Sequence, residues 1–508
     1  MNLNVNKLSI FVLILLYVPL LFLGLFDLDE GAFASTSLQM IKENQFVIPV
    51  IGDELRLEKP ILTYWIQAAS IMFWGANEFA LRLPSVIASL FWAFSFSKFV
   101  KRHDKSASSA EIFLNLLTLP GVFIISFAAT ADAFLNLFIT LLMIEIYEYA
   151  KNQKDIHLIK AAFFVALGFL AKGLTIIAIG GMVALIFFLY QRKFMLFLKI
   201  IFNTKAWVTF SIVVAPWFLL LANQIGYDQL SYLFFDQTFG RFTSAFEKHD
   251  GPIYYYLIIL IFLIAPYLID TLKGISRLDL RNNELEAFLF IWFIFVLLFF
   301  SFSSTKLPHY ILYGITPIAF FIFKNHDLIK KQNFNIASLS FHVSIWLFVL
   351  AIPFYLSYLT EVKESYEVST IVITEFKQDL LYQTISLLMI VFLVIGLFVK
   401  LNFLLVKRIS SIALIAVLSF KILPFINEST QSDIKKLGMY AAELGGDVTT
   451  YKLNKPSFGF YANKISYRGL ERADIILTRM DKIDSIDVEF EIISTSGNYL
   501  LIKKKNDN

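Results

Sequence analysis

The sequence has no cysteine and little charge for its length. Without cysteine it has no disulfide framework, thiol nucleophile or cysteine-based zinc site. Charged residues make up 17% of the 508 residues, whereas soluble domains average about 25%. The formal net charge is only +4 and no basic nucleic-acid motif is present, so nucleic acid is not an expected partner. HExxH, Walker, GxSxG and strand-associated GxGxxG motifs are also missing, which leaves ATP-driven or serine-hydrolase chemistry without support.

Hydrophobic residues are abundant instead. They account for 57% of the chain and include 55 phenylalanines. One soluble core cannot hold so much apolar surface, because single cores stop growing near about 250–300 residues. The composition excludes an ordinary soluble enzyme and a disordered chain, and it indicates a membrane protein with several spans.

Long apolar runs recur through the first 425 residues, and a spanning helix needs about 20 such residues. The first run is interpreted as a retained anchor rather than a signal peptide, because it is long and no A-x-A-like site precedes Asp27. Two short runs meet at Lys172-Gly173 and are interpreted as two helices with a tight turn; one buried hairpin with a re-entrant tip is the alternative. The thirteen predicted spans are residues 8–26, 79–99, 108–127, 132–150, 157–171, 174–190, 206–223, 253–272, 286–303, 309–323, 336–358, 380–399 and 409–425.

Basic residues cluster in every second loop between these spans, whereas the intervening loops are more acidic. Cytoplasmic loops of membrane proteins are enriched in Lys and Arg. The alternation therefore predicts a cytoplasmic N-terminus and a C-terminus on the outer side. The basic residues include Lys7, Lys98, Lys101, Arg102, Lys105, Lys151, Lys154, Arg192, Lys193, Lys199, Lys273, Arg277, Arg281, Lys324, Lys330, Lys331, Lys400, Lys407 and Arg408.

The composition changes after Phe425. Residues 1–425 form the predicted membrane domain, in which two long outer loops cover 27–77 and 224–252. Within the first, Leu62–Trp74 is apolar but too short to span, which predicts a helix at the membrane surface. Residues 426–508 are richly charged and predict a small outer α/β domain. Its expected elements are a helix at 432–445, strands near 448–452, 464–468 and 473–478, and a hairpin at 488–504.

Ionisable residues gather at the outer helix ends. Such groups are costly at membrane depth and are therefore functional candidates, although singly they fit equally well as solvated or interfacial charges. Together they suit an amphiphile with a phosphate head, because Lys and Arg hold phosphate oxygens. A carboxylate such as Asp29 could accept a proton from an attacking group, and Asp132 or Glu58 could orient that group or hold a divalent cation. The cluster comprises Asp27, Asp29, Glu30, Glu58, Lys59, Arg82, Asp132, Lys172, Arg241, His249, Lys306 and His309.

The motifs around these residues resemble those of the bacterial polyprenyl-phosphate-sugar glycosyltransferases of the GT-C fold. The lipid A aminoarabinose transferases, within the wider protein O-mannosyltransferase superfamily, are the most similar. The specific stretches are Glu58-Lys59-Pro60 followed by Tyr64-Trp65, and Lys306-Leu307-Pro308-His309-Tyr310. Further matching pieces are Asp29-Glu30-Gly31, Phe46-Val47-Ile48-Pro49, Asn77-Glu78-Phe79-Ala80-Leu81-Arg82, Asp132, Ala171-Lys172-Gly173, Ala215-Pro216-Trp217 and Gly240-Arg241-Phe242.

The resemblance implies an all-α polytopic domain of about thirteen helices and a small periplasmic α/β domain in a bacterial inner membrane. It implies an enzyme that transfers a sugar, with inversion, from an undecaprenyl-phosphate donor to a periplasmic acceptor such as lipid A or a related glycolipid. A protein acceptor, as in the O-mannosyltransferases, is the alternative. A lipid or polyol transporter is a third reading, although the sequence shows no related halves of the kind many transporters have.

The resemblance also implies residue roles. Asp29 and Asp132 would be catalytic, and Glu58 would be the candidate ligand of a divalent cation, with no other cofactor expected. Relatives often have Arg and then Tyr or Phe after Asp-Glu-Gly, whereas Ala32-Phe33 follow here, so one donor-phosphate cation is missing. Donor-phosphate binding would fall to Lys59, Arg82, Lys172, Arg241 and Lys306, supported by Glu30, Glu58, Tyr64, His249, His309 and Tyr310.

Overall fold

Apolar helices dominate the structure. A computed structural model of the chain describes residues 2–240, 251–325, 332–362, 370–399 and 401–505. By length and composition, seven helices in these ranges could cross a membrane, or nine if two bent helix pairs each form one span. This confirms the predicted polytopic all-α membrane domain. The seven are Glu78–His103, Asp132–Asn152, Thr204–Ile225, Glu284–Phe302, Asn335–Leu359, Leu380–Phe398 and Phe403–Glu443; the bent pairs are Ser109–Leu117 with Pro120–Phe127 and Tyr255–Leu263 with Leu268–Ile275.

All thirteen predicted spans fall on helical segments, but some of these are shorter or broken. Asp155–Lys172 and Thr175–Tyr190 are separate helices joined at Gly173, whose φ of +68° suits glycine, as the two-helix interpretation predicted. The prediction of one α-helix over 309–323 is wrong. A 3₁₀ segment, Pro308–Gly314, precedes a short helix, Ile318–Phe323, because Pro308 and Pro317 have no N–H to donate to a continuous helix.

The other helical segments range from 4 to 31 residues in length. The first predicted span is an α-helix followed by a 3₁₀ turn, and the second long loop begins with a short α-helix that continues as a π-helix. The bounds of these elements are Asn2–Tyr17, Pro19–Phe22, Phe194–Ile201, Tyr227–Ser231, Tyr232–Gly240, Gln332–Val362, Thr370–Lys377, Phe403–Val417, Leu418–Ile422 and Leu423–Glu443.

Several of the basic loops meet at one end of the helical bundle through ion pairs. Lys324 Nζ lies 2.7 Å from Glu286 Oε1. Lys151 and Lys193 both pair with Glu284, the first residue of the helix that contains Glu286. The shared end agrees with the predicted common side of these loops, and the assignment of that side to the cytoplasm stays a prediction.

The first long loop is itself folded. Asp29–Glu43 is a helix that the sequence reading missed, although acidic residues in its first turn and Lys42 in its last suit a helix dipole. A small hairpin follows, with strands β1 (Val50–Ile51) and β2 (Glu54–Leu55). The predicted helix Leu62–Trp74 is present with those bounds. Its position at the membrane surface stays a prediction.

The C-terminal part is the predicted small α/β domain. Its sheet has five strands: β3 (Val448–Thr450), β4 (Ser466–Arg468), β5 (Ile475–Arg479), β6 (Phe490–Ser496) and β7 (Tyr499–Lys504). Their order in the sheet is β4-β3-β5-β7-β6, with β3 parallel to β4 and β5 and the other neighbours antiparallel. Apolar residues of the Leu423–Glu443 helix pack against this sheet. That helix runs unbroken through the predicted domain boundary at Phe425. Two short helical segments, Ser457–Tyr461 and Met480–Ser485, complete the domain.

The α/β domain contacts the membrane domain beside Asp27. The backbone N–H and the hydroxyl of Ser457 donate to the two Asp27 carboxylate oxygens, at 3.0 and 2.6 Å. Gly31 allows this close approach, because a Cβ there would lie 2.6 Å from the Ser457 nitrogen. Burial raises the pKa of Asp27 to about 6, although the hydrogen bonds from Ser457 oppose the increase.

The raised pKa of Asp27 predicts a pH-dependent stability. An acid whose folded-state pKa exceeds its unfolded value stabilises the fold fully below the unfolded pKa and loses that contribution as pH rises through the folded pKa. The melting temperature of the wild type minus that of Asp27→Asn should therefore fall as pH rises from about 4 to about 6. Thermal unfolding in detergent measures both. Parallel melting curves across this range would contradict the prediction.

Candidate active site

An open cavity of about 1260 Å³ lies where the first long loop, several helix ends and the α/β domain meet. It brings together seven of the residues that the sequence analysis singled out. Arg56, Thr130, Asn454 and Arg468 join them from parts of the chain that carried no motif. The charged and polar lining residues are Asp29, Arg56, Glu58, Lys59, Thr130, Asp132, Lys172, His309, Tyr310, Asn454 and Arg468.

Asp29 is the exposed carboxylate of this cavity. It is the first residue of the Asp29–Glu43 helix, where a negative charge is favoured by the helix dipole. Within the described ranges its side chain makes no hydrogen bond or ion pair, whereas Asp132 and Glu58 are both paired. Asp29 is thus the exposed carboxylate of the cavity and is unpaired within the described part of the chain.

Asp132 is buried and charge-compensated. It begins the Asp132–Asn152 helix and accepts a hydrogen bond from Lys172 Nζ, which lies at the end of a neighbouring helix. The Tyr313 hydroxyl donates to the same carboxylate at 2.6 Å, and the Thr130 hydroxyl donates at 3.2 Å. His309 Nε2 lies 3.4 Å from Lys172 Nζ. These contacts fix the position of the Lys172 ammonium, whereas a catalytic role for Asp132 stays a prediction.

A second charged group lies between the hairpin and the Leu62–Trp74 helix. Arg56 Nη1 is 3.0 Å from Glu58 Oε2, and Arg56 Nε donates to the Tyr64 hydroxyl at 3.1 Å. Burial raises the pKa of Tyr64 to about 12, so this hydroxyl is protonated at neutral pH. Lys59 Nζ donates to the backbone carbonyl of Glu58 at 3.1 Å and lines the cavity.

A second space with largely apolar walls adjoins the charged cavity. This space of about 680 Å³ shares Glu58, Lys59, Lys172 and Tyr310 with the cavity. Its other walls come mainly from the helices Thr175–Tyr190 and Glu284–Phe302. The π-helix Tyr232–Gly240, in the second long loop, also contributes. These remaining wall residues include Thr175, Ala178, Leu233, Phe299, Phe300 and Ser303.

Arg82 was predicted to bind phosphate, but in the structure it forms a buried ion pair. Its side chain is fully buried and forms a two-point ion pair with Glu30, through Nε at 3.0 Å and Nη2. Its Nη1 and Nη2 also donate to the carbonyls of Leu20, Leu23 and Gly24. Arg82 does not line the cavity, and its donors are already used. The signal for this was weak, because a charge at the start of a span fits an interface anchor equally well.

Lys306, also predicted to bind phosphate, lies at a helix end instead. Its Nζ donates to the carbonyls of Ser301 and Ser303, at 3.0 and 2.6 Å, at the end of the Glu284–Phe302 helix. A cation at this position suits the negative end of a helix dipole. Its neighbours Leu307 and His309 line the cavity, whereas Lys306 is buried beside it.

Three predicted functions lack a structural description. Arg241 and His249 lie outside the described residues. Within the described ranges no group of three or more His, Asp or Glu side chains is arranged to hold a metal ion. One Glu58 oxygen faces the Arg56 guanidinium. Roles for Arg241 and His249, and a divalent cation at Glu58, stay predictions.

Two of the site residues that the sequence analysis missed lie close to its motifs. Tyr313 follows the Lys-Leu-Pro-His-Tyr stretch by three positions, and its 3₁₀ backbone turns it toward Asp132. Arg56 stands two positions before Glu58, in a loop without apolar periodicity. Its proximity to the Glu58-Lys59-Pro60 motif was the available signal.

Comparison with known proteins agrees with this arrangement. Residues 58–220 match the family model described as dolichyl-phosphate-mannose-protein mannosyltransferase. Undecaprenyl phosphate-alpha-4-amino-4-deoxy-L-arabinose arabinosyl transferases from Photorhabdus laumondii and Wigglesworthia glossinidia brevipalpis are each 29% identical, over 68% and 65% of this chain. The matches span 63% and 61% of those relatives' own length.

A solved structure has the same fold. The crystal structure of ArnT from Cupriavidus metallidurans bound to undecaprenyl phosphate superimposes with a TM-score of 0.81. The superposition covers 98% of this chain and 96% of that one, at 16% identity. The resemblance inferred from the motifs is thereby confirmed, and the described architecture is GT-C-like.

The Arg82–Glu30 pair predicts a large effect on stability. Removing one partner of a buried ion pair typically costs about 3–5 kcal/mol, because the other charge stays buried alone. Arg82→Gln should therefore sharply lower the melting temperature or the yield of folded protein. Arg102→Gln is the matched control, because Arg102 pairs with Glu148 but is 64% exposed, and exposed pairs contribute about 0–1 kcal/mol. Equal melting temperatures for the two variants would contradict the structural role of Arg82.

Proposed function

We propose that this chain is a glycosyltransferase that moves a sugar from an undecaprenyl-phosphate carrier to a lipid acceptor at the periplasmic face of a bacterial inner membrane. One observation supports it above all. Lys59 and Lys172 lie where the adjoining apolar-walled space, here called the lateral opening, meets the cavity that contains the exposed carboxylate Asp29. A lipid phosphate needs this combination, because its tail stays in hydrocarbon while its head needs cations.

The donor fits this geometry in one orientation. The isoprenoid tail passes between Ala178 on one helix and Phe299 and Phe300 on another, where the walls are apolar. Its phosphate then lies beside the ammonium groups of Lys59 and Lys172, and the sugar extends into the larger cavity. The names of the sequence relatives support 4-amino-4-deoxy-L-arabinose as the sugar.

The reaction transfers the sugar from one oxygen to another. The acceptor oxygen attacks the anomeric carbon from the face opposite the carrier, and the carbon–oxygen bond to undecaprenyl phosphate breaks with its electron pair leaving on the phosphate. Lys59 and Lys172 stabilise the negative charge that develops there. Asp132 and Tyr313 hold the Lys172 ammonium in place for this task.

Asp29 has one of two roles, according to the acceptor. A hydroxyl acceptor must lose a proton, and Asp29 would accept it as a general base. An acceptor that is already anionic needs no base, and Asp29 would then orient the reacting groups. Lipid A is the proposed acceptor, since modification of lipid A is the activity implied by the family resemblance.

A protein acceptor is the second candidate. The match of residues 58–220 to the protein mannosyltransferase model favours it. That segment contains the donor-side residues Glu58, Lys59 and Lys172, which lipid A and protein transferases would share. The family-model match therefore supports the donor class more strongly than it supports a protein acceptor.

Transfer should depend on Asp29 and Lys59. Asp29→Asn should lower turnover by about 10²–10⁴-fold if Asp29 is the base, and Lys59→Ala should lower it by about 10²-fold through lost stabilisation of the leaving phosphate. The assay measures sugar transfer from the undecaprenyl-phosphate donor to lipid A in proteoliposomes without a gradient. Asp155→Asn and Lys205→Ala are matched controls, because these residues form an exposed pair at the other end of the Asp155–Lys172 helix. Wild-type turnover in both site variants would refute the assignment.

The lateral opening predicts dependence on carrier length. Ala178→Trp should raise the KM for an undecaprenyl-phosphate donor several-fold, because the indole would fill the apolar passage. A donor with a ten-carbon isoprenoid should be less affected. Ala162→Trp is the matched control, since Ala162 lines a separate apolar groove. Equal effects of Ala178→Trp on long and short donors would show that the tail takes another path.

A further inference from the structure

The cavity has two halves that differ in their access to the lateral opening. Glu58, Lys59, Lys172 and Tyr310 line both the opening and the cavity, and they form the donor half. The other polar residues line the cavity alone. We define the acceptor half by four of these residues, Asp29, Arg56, Asn454 and Arg468.

Arg56 is held rigidly in the acceptor half. Its Nε and Nη1 are fixed by the Tyr64 hydroxyl and the Glu58 carboxylate, at 3.1 and 3.0 Å. The guanidinium also lies over the Phe33 ring, 5.6 Å from its centroid. The side chain is 13% exposed, and its Nη2 makes no hydrogen bond within the described part of the chain. A planar guanidinium fixed in this way keeps donors available for an anion with little further loss of entropy.

The backbone that carries Arg56 is also fixed. Arg56 follows strand β2, and its N–H donates to the Pro49 carbonyl at 2.9 Å. The Gln39 amide makes two hydrogen bonds to the backbone of Gly52, at 2.7 and 2.8 Å, which tie the hairpin to the helix that begins at Asp29.

The α/β domain contacts the other side of the hairpin through exposed ion pairs. Arg468 pairs with Glu54 at 3.1 Å, and Arg472 pairs with Asp53 at 2.8 Å. The hairpin therefore lies between the Asp29–Glu43 helix and the α/β domain. Such support is what a preorganised binding residue needs.

We propose that Arg56 is a binding residue of the acceptor half and that it recognises an anionic, phosphate-type group on the acceptor. This inference rests on the proposed function. Arginine binds phosphate through two parallel N–H···O bonds, and Arg56 lines the same cavity as Asp29. A hydroxyl acceptor would leave the charge of Arg56 without a substrate partner.

The proposed step balances without a base. A phosphate oxygen of the acceptor attacks the anomeric carbon, the bond from that carbon to undecaprenyl phosphate breaks, and its electron pair leaves with the carrier phosphate. No proton is released from the nucleophile, because the attacking oxygen is already ionised.

The test compares Arg56→Gln and Arg56→Lys with the wild type in proteoliposomes. The donor is undecaprenyl-phosphate 4-amino-4-deoxy-L-arabinose, and the acceptors are bisphosphorylated lipid A and the same lipid A after dephosphorylation. Arg56→Gln should raise the KM for the phosphorylated acceptor about 10- to 100-fold and leave the donor KM unchanged. Arg56→Lys should lie between the two, because it keeps the charge but loses the two-point contact. Arg479→Gln is the matched control, since Arg479 pairs with Asp481 on the α/β domain and does not line the cavity.

Each outcome separates this inference from the proposed function. An unchanged acceptor KM, or a raised donor KM, in the Arg56 variants would overturn the role of Arg56. Wild-type transfer to dephosphorylated lipid A at least as fast as to the phosphorylated form would overturn the anionic acceptor and leave the transferase activity intact. No transfer by the wild type from this donor to either acceptor would overturn the proposed function itself. If Arg56→Gln fails to fold, the Arg56→Lys arm decides by the same comparison of the two KM values.

Discussion

The ion pair between Arg82 and Glu30 holds the site together. Arg82 binds three backbone carbonyls of the segment before Glu30, and Glu30 accepts the N–H groups of Phe26 and Ala129. One buried pair therefore joins the end of the first span, the Glu78–His103 helix and the segment that leads into the Asp132 helix. Burial makes this junction strict, because neither charge can stay inside the protein without the other. The side chain next to Glu30, Asp29, is thereby directed away from the pair and into the cavity.

The site divides its chemistry between elements that differ in origin. The donor half comes from helix ends of the membrane domain, where Lys59 and Lys172 border apolar walls. The proposed acceptor half combines Asp29 with Arg56, which follows the hairpin, and with Asn454 and Arg468 of the α/β domain. In the proposed reaction, a lipid-borne donor and a second substrate would meet at a boundary between two domains, a common location for binding sites.

The sequence predicted the parts of this protein that depend on local pattern. Apolar runs located the helices, including Leu62–Trp74, because hydrophobic length and period are properties of neighbouring residues. The alternation of loops also placed Asp29 and Lys172 on one side, and the structure brings them into one cavity. The roles of Arg82 and Arg56 could not be predicted in this way. Arg82 meets Glu30 across 52 positions, and Arg56 reaches the cavity through a hairpin whose partners come from two domains.

One continuous helix runs from the membrane domain into the α/β domain. Residues Phe403–Glu443 form 41 helical residues, including the π-helical stretch Leu418–Ile422, which corresponds to a length of about 60 Å. Because this helix is continuous, its packing against the neighbouring membrane helices determines the tilt of the α/β domain. The same domain contributes Asn454 and Arg468 to the cavity, so a shift of the helix would displace one wall of the cavity.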